Sequence, residues 1–108
     1  MSKIAYPFLL FFAIAFAVHI YIPLFQPSNE SNLSHIIHLF SYGICFGAMA
    51  FKFNYRLWIY LAAAVYPFLF HFRCALLPLI QESRINPVCW LVVVMLPLAF
   101  VAIKKEMV

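Results

Sequence analysis

Four stretches of this chain are long and apolar enough to cross a bilayer, at about 4–25, 33–51, 57–80 and 88–103. A helical span needs roughly 20 predominantly apolar residues, because each residue advances about 1.5 Å and the hydrocarbon layer is about 30 Å thick. The solvent is therefore lipid before any fold is considered. Composition agrees: 68% of residues are hydrophobic and 9% charged, and the mean hydropathy is +1.01. A soluble domain of 108 residues has too little interior to hide that much apolar surface.

The runs are apolar on every face, whereas membrane strands alternate apolar and polar residues. The chain is thus expected to be all-α, one integral membrane domain over residues 1–108. Its form would be a four-span helical bundle, and short connections would force neighbours into up-down-up-down order. Ala15-Phe16-Ala17 resembles the small-residue end of a secretory signal. The apolar run continues through Val18–Phe25, however, so the segment reads as a retained span.

Basic residues give the orientation. Lys3 precedes the first span, Lys52 and Arg56 lie between the second and third, and Lys104 and Lys105 follow the fourth. The first connection has no Lys or Arg and the third carries only Arg84. Positive charge is retained on the cytoplasmic side, so both termini are expected there. The net charge of +4 is not a nucleic-acid signature, since the basic residues form no dense patch with solvent-facing aromatics.

Aromatic residues complete the picture of an interface. Tyr55, Trp58 and Tyr60 are expected in the inner belt, Tyr21 and Trp90 in the outer one. Pro67 and Pro78 should kink the third helix or shorten its regular part. Ser31 or Asn32 is a candidate cap for the second helix. The sequons at Asn29 and Asn32 acquire meaning only in a eukaryotic secretory pathway. Gly43 and Gly47 form a GxxxG spacing that lets another helix approach closely. Ala62–Ala64 at similar depth makes the third helix the expected neighbour, with a homo-oligomer as the competing use.

All four histidines fall toward the outer side. At 100° per residue, His35, His38, Tyr42, Cys45 and Met49 lie within about 80° on one face of the second helix. On the third, Pro67, His71, Cys74 and Pro78 share a face, and Arg73 points elsewhere. Ionisable groups at depth usually face a bundle interior or a wet cavity, so the two stripes are expected to meet, joined by His19. The inner half offers no comparable group.

Several functions follow from such a layer. His38, His71 and Cys74 are candidate metal ligands, and the imidazoles are candidate haem ligands. His19, His35, His38, His71 and Arg73 are also candidate contacts for an anionic or quinone-like ligand. A small solute transporter or a proton or ion pathway is a further alternative, although it would call for an embedded carboxylate and the spans contain none. The first-span glutamate of small four-span multidrug exporters has no counterpart here. The ordinary structural role is hydrogen bonding between helices, worth roughly 0.6 kcal/mol per bond. The three cysteines form no CxxC pair, which argues against thiol-redox chemistry.

The stretch Ser34-His35-Ile36-Ile37-His38-Leu39-Phe40-Ser41-Tyr42 resembles the second-span signature of VanZ-like membrane proteins, with a His and a Tyr four residues apart. His38 and Tyr42 would be that pair, and the four-span layout is similar. The likeness covers about a tenth of the chain. The acidic and glutamine residues usual in that family's third span have no clear counterpart around Tyr66–Arg73.

With no nucleophile–base pair, paired carboxylates or phosphate loop, the sequence points away from catalysis. The expectation is a small multi-pass protein of the bacterial inner membrane, in contact with lipid. It would act by binding other membrane components, as an accessory subunit of a larger complex or an immunity-type protector. A protein partner or a second copy is expected, and nucleic acid is not.

Overall fold

Local chemistry sets where each helix starts and stops. The computed structural model describes residues 3–25 and 32–107, which form four helices and no strand. They are α1 (Ala5–Phe25), α2 (Asn32–Ala50), α3 (Arg56–Glu82) and α4 (Pro87–Glu106). Asn86 caps α4, its side-chain oxygen accepting from the Cys89 backbone N–H at 3.3 Å, and Pro87 occupies the first turn, where a missing N–H costs little. α3 enters through Tyr55 and leaves through Ser83, both in left-handed conformation at φ 64° and 52°. The Pro78 carbonyl accepts from the backbone N–H groups of Ser83 and, at 3.1 Å, Arg84, which closes the last turn.

α2, α3 and α4 are long and apolar enough to cross a membrane; the described side chains of α1 cover the shorter apolar segment Ala5–Tyr21. The longest dimension of the molecule is 42 Å, close to the roughly 40–45 Å of a bilayer with its headgroups. α3 runs unbroken through Pro67 and Pro78 over 27 residues. The regular part is not shortened, and a helix longer than the hydrocarbon layer is accommodated by tilting. α4 likewise extends three residues beyond the expected span, to Glu106.

Each helix packs antiparallel on its neighbour in the chain, and α1 also touches α4. The shared core holds Phe12 of α1, Tyr42, Cys45, Ala48 and Met49 of α2, Tyr60 and Ala64 of α3, and Leu96, Ala99 and Ile103 of α4. The stripe read from the second span is therefore the buried face of α2.

Two packing expectations are corrected. A Cβ on Gly43 would lie 3.3 Å from the Phe16 ring, so this glycine faces α1, while one on Gly47 meets nothing within 4 Å. The α2–α3 boundary near Ala62 and Ala63 is instead an open groove of about 450 Å³. Tyr60 is not a belt residue. It is 1% exposed, and its hydroxyl donates to the Leu96 carbonyl at 2.7 Å. Tyr55, Trp58 and Tyr21 are exposed as a belt requires. The connection carrying Asn29, Glu30 and Ser31 lies outside the described residues, as does the side chain of Asn32.

Candidate functional site

His38 is the hub of a cluster at the end of the bundle where α1 finishes and α2 begins. It is 1% exposed and touches rings from two other helices. The His19 ring of α1 stacks on it at 4.8 Å with 10° between planes. From α3, the Phe70 ring stands edge-on at 4.8 Å, Tyr66 at 5.1 Å and His71 at 5.2 Å. Tyr42, one turn along α2, stacks on His19 at 5.5 Å. The fourth imidazole, His35, meets His19 through a 3.1 Å contact between their Nδ1 atoms. Such a contact requires one ring to donate and the other to accept, so the two rings are in different tautomers.

Two of the rings are set the same way by their own helices. The His38 Nδ1 donates to the Ser34 carbonyl at 2.8 Å; the His71 Nδ1 donates to the Pro67 carbonyl at 2.8 Å. Both partners lie four residues back and can only accept. The proton therefore sits on Nδ1 in each, and the neutral ring carries its lone pair on Nε2. Beside them the Tyr66 hydroxyl of α3 donates to the Ser34 hydroxyl of α2 at 3.4 Å. That is long for an O–H···O bond, and both hydroxyls keep capacity for a better partner.

The four histidines expected to converge do so, while Arg73 and Cys74 are joined to them by no hydrogen bond or ring contact among the described residues. Arg73 is exposed and Cys74 half-buried. Glu82 pairs instead with Arg84, at 3.3 Å on the surface. No group of three His, Cys, Asp or Glu side chains among the described residues is placed to hold a metal ion.

Below Tyr42 the core turns apolar, through Phe12, Cys45, Ala48, Met49 and Leu96. Among the described residues the cluster forms a polar layer at one end of the bundle.

The opposite end holds a group that sequence reasoning passed over. Arg56, assigned to the flanking charges, is buried at the start of α3. Its Nε donates to the Ala48 carbonyl at 2.9 Å, and its Nη2 to the Met49 carbonyl at 3.2 Å and to Glu106 Oε2 at 3.1 Å. A guanidinium there meets the negative end of the α2 dipole as well as a carboxylate. Tyr66 and Phe70, the walls of the cluster, were missed too. They lie five and one residues before His71, and in a chain that is 19% aromatic nothing in that spacing singled them out.

The fold and site define a class: an all-helical bundle with three helices long and apolar enough to cross a membrane, an imidazole layer at one end and a buried ion pair at the other. Comparison with family models, with curated proteins and with solved structures finds no match to this chain.

Proposed function

We propose that the chain is a four-span protein of the bacterial inner membrane, with both termini cytoplasmic, that acts without catalysis by binding another membrane component. The component best suited to the geometry is an amphiphile with a planar, hydroxyl- or carbonyl-bearing headgroup of the quinone type. The observation that carries this reading is the arrangement around His38. Four imidazoles are brought together around one buried ring, and intramembrane ionisable residues mark sites of function by default.

The ligand would approach from the lipid between α2 and α3. Its headgroup would meet the long Tyr66–Ser34 hydroxyl pair and the aromatic wall of His38 and Phe70. Its apolar tail would lie in the groove lined by Ile37, Phe40, Ile44, Ala62 and Ala63. Tyr66 and Ser34 thus take the role that the sequence suggested for Arg73.

One observation favours the accessory-subunit reading as well: Gly47 presents a patch with nothing within 4 Å of an added Cβ, room for the close approach of a partner helix. Both readings are tested by one purification in a mild, lipid-sparing detergent, followed by protein mass spectrometry and analysis of the organic extract. The headgroup reading expects an amphiphile enriched over bulk lipid that is lost from His38→Phe. An extract matching bulk lipid, unchanged in that variant, overturns it. A stoichiometric protein partner lost from Gly47→Leu would support the accessory role in its place.

A further inference from the structure

The charges of this chain are segregated by end. Lys3, Lys52, Arg56, Lys104 and Lys105 stand at one end against the single carboxylate of Glu106. In the sequence the other two basic residues, Arg73 and Arg84, are matched in number by Glu30 and Glu82, so the net charge of +4 is that of the lysine group. Among the described residues, the one side-chain carboxylate at that end is already engaged. Glu106 is spent on Arg56, with side chains 10% and 4% exposed. Lys3, Lys52, Lys104 and Lys105 form no ion pair among the described residues. Four ammonium groups therefore face the headgroup layer without an internal counter-charge.

Between the α2–α3 turn and the end of α4 lies a pocket of about 330 Å³ lined by Lys52, Phe53, Asn54, Arg56, Glu106 and Met107. Its floor is the Arg56–Glu106 pair, whose charges cancel and whose guanidinium is fixed by the Ala48 and Met49 carbonyls. Lys52 is the uncompensated charge on its rim, and Lys104 and Lys105 occupy the last turn of α4 beside it. Phe53 and Met107 are exposed apolar flanks. Positive charge, an amide and apolar walls at the mouth of a membrane bundle match a phosphate that carries acyl chains.

We propose that this pocket binds the phosphate of an anionic phospholipid. Basic pockets of this kind gain about 1 kcal/mol from each Lys or Arg near an anionic surface. The site is independent of the histidine cluster. It is equally independent of which compartment the lysine end faces, since both leaflets present phosphate.

The test uses the full chain in mild detergent with equal amounts of phosphatidylglycerol and phosphatidylethanolamine, read by native mass spectrometry. Wild type is expected to retain phosphatidylglycerol in preference. Lys52→Gln should weaken that retention about fivefold, the equivalent of about 1 kcal/mol. Arg84→Gln, at the other end, should leave it unchanged. Lys52 is exposed, and an unchanged thermal midpoint for Lys52→Gln shows that the fold is kept. No preference between the lipids, equal retention in Lys52→Gln, or equal loss in Arg84→Gln overturns the proposal. Millimolar inorganic phosphate is the second arm. If it displaces the lipid completely, the site belongs to free phosphate and the lipid assignment falls; if the lipid persists, the assignment stands.

Discussion

Arg56 and Glu106 are 50 residues apart in sequence and 3.1 Å apart in space, and the pair fastens the start of α3 to the end of α4. The same guanidinium closes the end of α2 through the Ala48 and Met49 carbonyls. One side chain thereby ties three helices at a point where their backbone groups run out of intrahelical partners.

Removing one member of this pair is expected to cost about 3–5 kcal/mol, because the survivor is left buried and uncompensated. Arg56→Leu and Glu106→Leu should each lower the unfolding free energy in detergent by that order. The double variant should recover much of the loss, since neither charge then remains. A double variant as unstable as the sum of the two singles would show that the residues act separately.

Tyr60 supplies a smaller, cleaner measurement. Its hydroxyl reaches the Leu96 carbonyl at 2.7 Å within the core, so Tyr60→Phe deletes one hydrogen bond and leaves the ring. The expected loss is about 1 kcal/mol, read from the same unfolding experiment. A loss indistinguishable from zero would mean that Leu96 is satisfied by its own helix alone.

How much was legible in the sequence follows from these residues. The inward stripe of α2 was readable because burial follows the helical repeat even in lipid, and His35, His38 and Tyr42 differ sharply from the apolar residues around them. The convergence with His19 and His71 followed from antiparallel order and depth. Arg56 was misread because a basic residue just outside a span ordinarily serves orientation. Its clue was Glu106, the only carboxylate at that end. Gly43 was assigned to α3 because Ala62–Ala64 looked like a matching small surface. Its true neighbour is Phe16, and a phenylalanine among thirteen carries no signal of its own. The Tyr66–Phe70 wall was invisible for the same reason.

The two glycines should separate cleanly. Gly47→Ala adds a methyl group to open space and is expected to shift stability by no more than about 0.5 kcal/mol. Gly43→Leu drives a side chain into the Phe16 ring, which a Cβ alone would approach to 3.3 Å, and should cost about 1–3 kcal/mol by overpacking. Phe16→Ala in the Gly43→Leu background should return part of that loss. Equal effects at the two positions would mean that the glycine face does not pack on α1.

Orientation is open to direct labelling. Single cysteines at Lys52 and Lys105, in a background lacking Cys45, Cys74 and Cys89, should react with a membrane-impermeant maleimide only after the cell membrane is opened. A cysteine at Ser83 should react in intact cells. Labelling of Ser83→Cys and Lys105→Cys from the same side would break the antiparallel four-span arrangement, whichever compartment that side faces.

The histidine cluster calls for variants that separate packing from recognition. His38→Ala removes the hub on which His19, His71, Tyr66 and Phe70 rest, and a loss on the order of 3 kcal/mol is expected, as for other large core truncations. His38→Phe keeps a ring of similar shape between them and should cost less than about 1.5 kcal/mol, while deleting both ring nitrogens and the bond to the Ser34 carbonyl. Tyr66→Phe removes only the hydroxyl that reaches Ser34 at 3.4 Å. A bundle that uses its imidazoles as packing pieces alone should tolerate His38→Phe and Tyr66→Phe with no other change. A bundle that holds a headgroup should keep its fold in both and lose the bound amphiphile from both. The readout is the ratio of that amphiphile to protein beside the unfolding midpoint, and a ratio that follows only the midpoint would reduce the cluster to packing.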